Sequence, residues 1–404
     1  MRRLLVSFTC GLLIVVPLSS EASPQQSHIC QSTQSAPKFL VVGGGGAPSF
    51  NEIALEKNVL FFQRTLQFMG YEPKQVASIF FANGNDGQAS IRYIDQQGRQ
   101  QFKRPNIPYL KGAITLSNLE RYFQQLAQQK KPKTSFLYFT GHGGLNEQDL
   151  DNNSFYLWNK QQMSVRQFSQ MLDKMSPKTP VVAMMAQCFS GSFANFIYEG
   201  GDPKRPVALQ TRCGFFATIK TLPSVGCTPE VNEADYRDYS SSFFAGLSGR
   251  DRTGKAVSSA DYNKDGRIAY AEAHAFAKVD EKSIDLPIST SEAWLQNKFS
   301  GKPEKTILSQ SISQILQTAR PEQSYVVNSL VNRFELDKQK PVLQSLNSVN
   351  SQKIQTDEQQ ADLKRLEMEL INIAVEKQIR TSGNQKDINT LERLVKCENG
   401  SWKK

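Results

Sequence analysis

The sequence predicts an α/β architecture: a mainly parallel sheet flanked by helices on both faces, followed by an all-α carboxy-terminal domain. Three observations carry that expectation. Short apolar runs alternate with segments whose apolar residues recur at helical spacing, and two of the runs end in chemically unusual sequences. From residue 303 onward glycine nearly vanishes while apolar residues keep the helical period.

Residues 38–42 form the first apolar run and end at the glycine stretch 43–46. Residues 51–69 carry Ile53, Leu55, Val59, Leu60, Phe62, Leu66 and Met69 close to helical spacing. A second strand is expected over 76–81. The polar, turn-rich stretch 82–114 reads as an excursion at the sheet edge or rim. A helix over 116–129, with Ser117 as its cap, leads to a third strand over 135–140. A small strand at 155–158, a helix at 165–175, an apolar strand at 180–186, another strand at 215–219 and a helix at 240–247 complete the alternation. Strands separated by helices need crossover connections, and hence a parallel sheet covered on both faces.

Composition points to a mildly basic globular protein: of 404 residues 39% are apolar and 21% charged, with 48 Lys and Arg against 38 Asp and Glu. This balance argues against a chain disordered throughout and against a multi-span membrane protein. The basic residues are scattered among acids with no aromatic-basic motif, so nucleic acid is not an expected partner. Arg2 and Arg3 precede an apolar run over 4–18 and then Ser20-Glu21-Ala22, the layout of a cleaved export signal spanning 1–22. An uncleaved anchor is the alternative. The expected location is therefore the periplasm or the exterior, with no stable membrane span after signal removal. Five cysteines lie beyond that segment, namely Cys30, Cys188, Cys213, Cys227 and Cys397. In an oxidising compartment an odd count leaves one thiol for chemistry and four to pair. Of the three connectivities, Cys213 with Cys227 and Cys30 with Cys397 is preferred, because it separates a local pair from a terminal one.

Ligands of open α/β sheets sit beyond the carboxyl ends of the strands. One run ends in Phe139-Thr140-Gly141-His142-Gly143, another in Cys188-Phe189-Ser190-Gly191-Ser192. A cysteine attacks a carbonyl as its thiolate, and a neighbouring imidazole can take that proton and later protonate the leaving amine. Cys188 and His142 are thus candidate nucleophile and base, and the amides of Gly143 and Cys188 candidate oxyanion donors. The competing reading makes Cys188 a small buried residue and His142 an ordinary loop histidine. Of the other histidines, His28 falls in the Ser/Gln/Pro-rich lead-in 23–37, and His274 is most simply a surface or packing residue.

The ordered pair, 46 residues apart, with a Cys-x-Ser-Gly-Ser pattern after the second strand, resembles the legumain-like branch of the caspase-fold cysteine peptidases, clan CD. The resemblance covers roughly residues 38–300 in layout, and only the two motif regions match closely. It implies a caspase-like sheet, Cys188 as nucleophile, His142 as general base and acid, and Gly143 in the oxyanion hole. It also implies an Asn shortly after the first strand that orients the histidine. Asn51 is the candidate, with a helix cap as its alternative role. The sequence departs from the family at Ala186, two before the cysteine, where legumains are acidic; at Gly141, where they have Asp; and at Glu52 and Ile53, where an arginine is expected. The family's residue preferences are therefore not carried over. Residues 238–242 sit where the family's pocket-lining loop follows the fifth strand, and read equally as a helix start.

Residues 261–272 fit a twelve-position calcium loop: oxygen donors Asp261, Asn263, Asp265 and Glu272 at positions 1, 3, 5 and 12, Arg267 at position 7, Gly266 at the turn and Ile268 at position 8. A structural calcium ion is thus the one expected cofactor, against an Asx-rich turn that needs no ion. The preceding stretch 250–260 is too irregular for a full helix-loop-helix, and a helix is expected over 271–278. Residues 303–404 read as a separate domain of three to five helices. By analogy with legumains it is a cap over the active site, giving intramolecular inhibition; the alternative is a packing or partner-binding module. The expectation is an exported cysteine endopeptidase acting on polypeptides through a Cys188 acyl-enzyme. Its alternatives are a transpeptidase using the same dyad, a catalytically silent calcium-dependent binding module, and a hydrolase of small amides.

Overall fold

The computed structural model describes residues 37–299, 304–349 and 354–402. The proposed export segment, His28 and Cys30 lie outside them. Seven strands form the central sheet: β1 (Lys38–Gly44), β2 (Ala77–Phe81), β3 (Leu110–Gly112), β4 (Ser135–Gly141), β5 (Val181–Met185), β6 (Arg212–Phe216) and β7 (Ile288–Ser289). Their spatial order is β7-β6-β5-β4-β1-β2-β3, and every pairing is parallel except β6 with β7. The fold is thus the α/β class expected, and consistent with a caspase-like arrangement. Two expected elements shift. The strand placed at 215–219 starts at Arg212, because that buried guanidinium bonds the Phe196 carbonyl and pairs with Asp173 at 2.7 Å. The cap near residue 117 is Thr115, whose hydroxyl accepts the Asn118 amide.

Register places the carboxyl ends of three neighbouring strands side by side. Gly44 of β1 lies opposite Gly141 of β4, and Met185 of β5 opposite Phe139. Side chains alternate across the sheet with period two. Phe39, Val41, Phe136, Tyr138, Val182 and Met184 face one core layer, with α1 (Ile53–Phe68), α4 (Tyr239–Ser248) and α5 (Tyr270–Asp280). Leu40, Val42, Leu137, Phe139, Ala183 and Met185 face the other, with α2 (Leu116–Ala127) and α3 (Val165–Asp173). The excursion over 82–114 supplies the edge strand β3 and a hairpin, Ile91–Ile94 with Gln100–Lys103.

The helical region does not stand apart as its own domain; residues 36–404 make one compact unit. The larger helices here are α6 (Thr290–Phe299), α7 (Pro321–Phe334), α8 (Asp357–Thr381) and α9 (Gln385–Glu398). Amphipathic spacing alone does not reveal which body an apolar face covers. Here Val326, Leu330, Leu366 and Leu394 join the core layer of Leu137 and Met185. Trp402 lies 4.9 Å, ring to ring, from both Phe39 and Phe136. Arg365, fully buried on α8, donates to the carbonyls of Asp285 (2.9 Å), Glu281 (3.0 Å) and Ser283 (2.9 Å). Buried polar groups joined this way hold the two regions in one register.

The disulfide pairing differs from the preferred one: Cys213 of β6 bonds Cys397 of α9, with Cα atoms 5.9 Å apart. Cys213 is level with Val182, and that residue with Phe136, near the amino end of the sheet. The Cys227 sulfur instead sits 3.7 Å from the Gly141 carbonyl oxygen, at the carboxyl end. Five strand residues separate the two levels, about 16 Å, far beyond disulfide reach. Cys188 and Cys227 are both free.

Glu398, beside that disulfide, accepts the amide of Ser291 at 2.6 Å and the hydroxyls of Thr290 and Ser291. Burial pushes its carboxyl up from 4.5 to about 7, against the lowering effect of these bonds. An acid whose pKa is raised in the folded state binds more protons there than in the unfolded chain, so its contribution to stability falls as pH rises between the two values. Glu398→Gln removes that titration. Wild type should lose up to about 3 kcal/mol relative to the variant from about pH 4.5 to about pH 7, as read from urea unfolding midpoints at a series of pH values.

Candidate active site

Each of the three aligned strand ends delivers one functional group. β1 leads to Glu52, β4 to His142, and β5 to Cys188. The two motif segments touch backbone to backbone: a Cβ on Gly143 would fall 1.9 Å from the Cys188 carbonyl oxygen, and one on Gly141 would fall 2.6 Å from that of Gly44. Only glycine permits such approaches. After Cys188 the chain turns through Phe189 in the left-handed region, φ 57°, and enters a short 3-10 helix, Ser190–Ile197. The Ser-Gly-Ser part of the motif is structural. Ser190 Oγ accepts the Thr218 amide, a side chain on Gly191 would strike Thr218 and Lys220, and Ser192 Oγ donates to the Phe189 carbonyl.

Cys188 is half-buried, and burial pushes its thiol above the usual range. Backbone amides of Ser224, Gly143 and Cys188 itself act in the opposite direction, the Ser224 nitrogen lying 3.3 Å from Sγ. The net effect of burial favours the protonated thiol. The His142 ring is held through one of its nitrogens. Its Nε2 lies 2.9 Å from Glu52 Oε2, which leaves Nδ1 as the other ring nitrogen. Burial would raise the Glu52 carboxyl, yet hydrogen bonds from His142 and Arg92 outweigh it and hold the group below its usual range. Arg92 Nη2 donates to Glu52 Oε1 at 2.7 Å, so the hairpin of the edge excursion secures the site. Phe50 sets its ring edge-on to the imidazole, 6.0 Å between centroids.

Asn51 makes no hydrogen bond to the histidine, and the cap of the helix that follows is Glu52 instead. Its Oδ1 accepts the Gly45 amide and its Nδ2 donates to the Ser90 carbonyl, both at 3.0 Å, so it ties the loop after β1 to the edge excursion. The residue against His142 is its neighbour, Glu52, which also stands at the start of α1. Sequence reasoning noted Glu52 only as a departure from the family pattern. A carboxylate next to the expected orienting position was the available signal. Residues 238–242 are a helix start: Asp238 Oδ1 accepts the Ser241 amide at the head of α4, and its carboxylate pairs with the buried Arg252.

A second layer supports the thiol. Asp285 accepts the Ser224 hydroxyl at 2.6 Å and the Val225 amide at 3.0 Å, fixing the segment whose amide faces Sγ. The backbone carbonyl of Asp285 is in turn held by Arg365. Cys227 stands on the same segment. Its burial pushes the thiol well above the ordinary range, with Glu52 and Cys188 adding to the rise. Glu52, His142 and Cys227 each offer a donor atom within 4.8 Å of the others; among the described residues they are the one such group of three His, Cys, Asp or Glu side chains.

The loop 261–272 turns through Lys264 (φ 61°) and Gly266 (φ 84°). Asp261 accepts the Asp265 and Gly266 amides, Asn263 accepts the Asp265 amide, and Asp265 pairs with Arg267 at 3.1 Å. Glu272 accepts the amides of Tyr262 (2.9 Å), Asn263 (3.1 Å) and Ala269 (2.9 Å). Tyr262 stacks on Tyr325 of α7 at 4.0 Å. His274 is buried between Tyr239 and Glu292 and belongs to the packing.

No protein-family model and no curated protein matches this chain. Among solved structures, protein GSU0716 from Geobacter sulfurreducens is similar to it with a TM-score of 0.30 and 12% identity, over 47% of this chain and 76% of that one.

Replacing Glu52 by Gln leaves an acceptor for the imidazole but removes the charge that holds it. Reaction of Cys188 with a peptidyl thiol-reactive probe should slow on the order of 10²-fold and, if Glu52 acts through His142, its pH profile should shift. A variant that keeps the wild-type profile would make Glu52 merely structural.

Proposed function

We propose that this protein is a cysteine endopeptidase that cleaves polypeptides through an acyl-enzyme on Cys188. The observation that carries the reading is the Cys188 thiol at one strand end, faced by the Ser224 and Gly143 amides, with the neighbouring strand end, whose Gly143 packs on the Cys188 backbone, carrying a histidine held through Nε2 by a buried carboxylate. In the step envisaged, His142 takes the thiol proton as Sγ attacks the carbonyl carbon. The amides of Gly143 and Cys188 hold the oxyanion, and the same proton passes to the leaving amine as the carbon–nitrogen bond breaks. Water then hydrolyses the thioester; an incoming amine at the same stage would make the protein a transpeptidase. The exposed side chains of Phe50, Leu145 and Leu222 around these segments suit the apolar portions of an extended chain.

The calcium reading rests on the loop's own shape: Asp261, Asn263 and Asp265 lie on a turn sharpened at Gly266, and the Arg267 carbonyl follows. These residues with Glu272 would hold the ion, Glu272 exchanging amide hydrogen bonds for metal. The ion would supply rigidity rather than chemistry, through Tyr262 and Tyr325 to the helical region. For the helical region itself the structure favours a brace over a cap. Its route to the thiol runs through Arg365 and Asp285 behind the Ser224 segment, and among the hydrogen bonds of the described residues none joins 304–402 to Cys188, His142 or Glu52.

A peptidyl acyloxymethyl ketone library should label wild type and fail with Cys188→Ala and His142→Ala, while the folded circular dichroism of all three agrees. Equal labelling of Cys188→Ala would remove the peptidase reading and leave the binding module. Separately, calcium should raise the melting temperature of wild type by several degrees and leave that of Asp261→Ala unmoved; no rise in wild type would reduce the loop to a plain Asx turn.

A further inference from the structure

We propose that Glu52, His142 and Cys227 form a site for a thiophilic divalent cation, Zn²⁺ by ligand chemistry, whose occupation withdraws His142 from the thiol. The three donor atoms lie within 4.8 Å of one another and bring one carboxylate oxygen, one imidazole nitrogen and one sulfur. Tetrahedral zinc, with bonds of about 2.0 to 2.3 Å, sets its ligands roughly 3.5 Å apart. The His142–Glu52 contact of 2.9 Å opens by about half an ångström to admit the ion, and Cys227 closes by about 1.3 Å at most. A set of this kind suits zinc better than calcium or magnesium, which take oxygen ligands.

The surroundings complete the case. Arg92 grips Glu52 through Oε1 and leaves Oε2, the oxygen that faces the imidazole, to coordinate. The sulfur of Cys227 has the Gly141 carbonyl as its partner at 3.7 Å, a weak thiol contact that binding replaces. Metal entry releases the thiol proton of Cys227 to solvent, and the proton shared by Nε2 and Glu52 is carried instead at Nδ1. Thiolate and carboxylate then offset the two charges of the cation. The imidazole is about one-fifth exposed, so the cluster is within reach of solvent. Cys227 is thus the thiol that the peptidase reading leaves unused, grouped with the base and its carboxylate.

With Nε2 on the metal and Nδ1 protonated, the imidazole can no longer accept the proton of Cys188. This inhibitory consequence rests on the peptidase reading; the site itself does not. The test uses the whole protein with calcium saturating and Co²⁺ as a spectroscopic stand-in for Zn²⁺. A thiolate-to-cobalt charge-transfer band at one equivalent is expected in wild type and in Cys188→Ser, and its loss in Cys227→Ser, whose fold is checked by its melting temperature. Zinc affinity, measured against a chromophoric chelator, should fall at least about 100-fold in Cys227→Ser and in Glu52→Gln. A band that survives in Cys227→Ser and vanishes in Cys188→Ser would overturn the assignment, as would the absence of any thiolate band in wild type. If the cobalt results hold while peptidyl probes never label Cys188, the metal site stands and the peptidase reading fails.

Discussion

Everything at the candidate site depends on how closely two stretches of main chain approach after leaving neighbouring parallel strands. The turn after β4 and the turn after β5 meet with so little room that position 143 tolerates no side chain at all. This contact sets the Gly143 amide toward the sulfur and fixes where the imidazole of the preceding residue can stand. Parallel pairing makes it possible, because β1, β4 and β5 all run the same way and their registers end level. An antiparallel neighbour would have placed one of the three groups at the opposite end of the sheet.

Much of this was legible in the chain. Strand runs that close on Gly-His-Gly and on Cys-x-Ser-Gly-Ser announce themselves, since apolar runs ending in glycine and a reactive side chain are what an open sheet uses at its carboxyl edge. What the sequence could not give was the third group. Asn51 and Glu52 are adjacent and both polar, and which one faces the imidazole depends on the φ and ψ of the loop after β1. Asn51 is turned away because its amide bonds Gly45 and Ser90. The cysteine pairing was beyond reach for a similar reason: Cys213 and Cys227 are close along the chain, but a strand and its following loop carry them to opposite ends of the sheet. The helical region was readable as helices and not as part of the main body, since Arg365 looks like a surface residue of α8 until its carbonyl partners are known.

Electrostatics divides the molecule into two regimes. Around the thiol, ionised groups are few and well paired: Glu52 between Arg92 and His142 is the one carboxylate drawn clearly below its usual range there. Beneath the sheet's other end, acids are buried in numbers. Glu398 and Glu369 are both pushed up to about 7, with desolvation the first cause of each, and Lys278 answers from α5 with bonds to Glu292 and Glu369. Such clusters stabilise only when every member finds its partner, which ties α5, α6 and α8 into a single cooperative block.

Trp402 has a consequence for how the chain acquires its shape during synthesis. Its indole packs edge-on against Phe39 and Phe136, so the first strand of the sheet remains incompletely covered until synthesis has passed residue 402. Vectorial, piecewise maturation is thereby disfavoured. A nascent chain not yet extended to residue 402 exposes an aromatic seam along β1, and a premature stop codon anywhere in α9 would damage the packing of β1 as much as that of α9 itself.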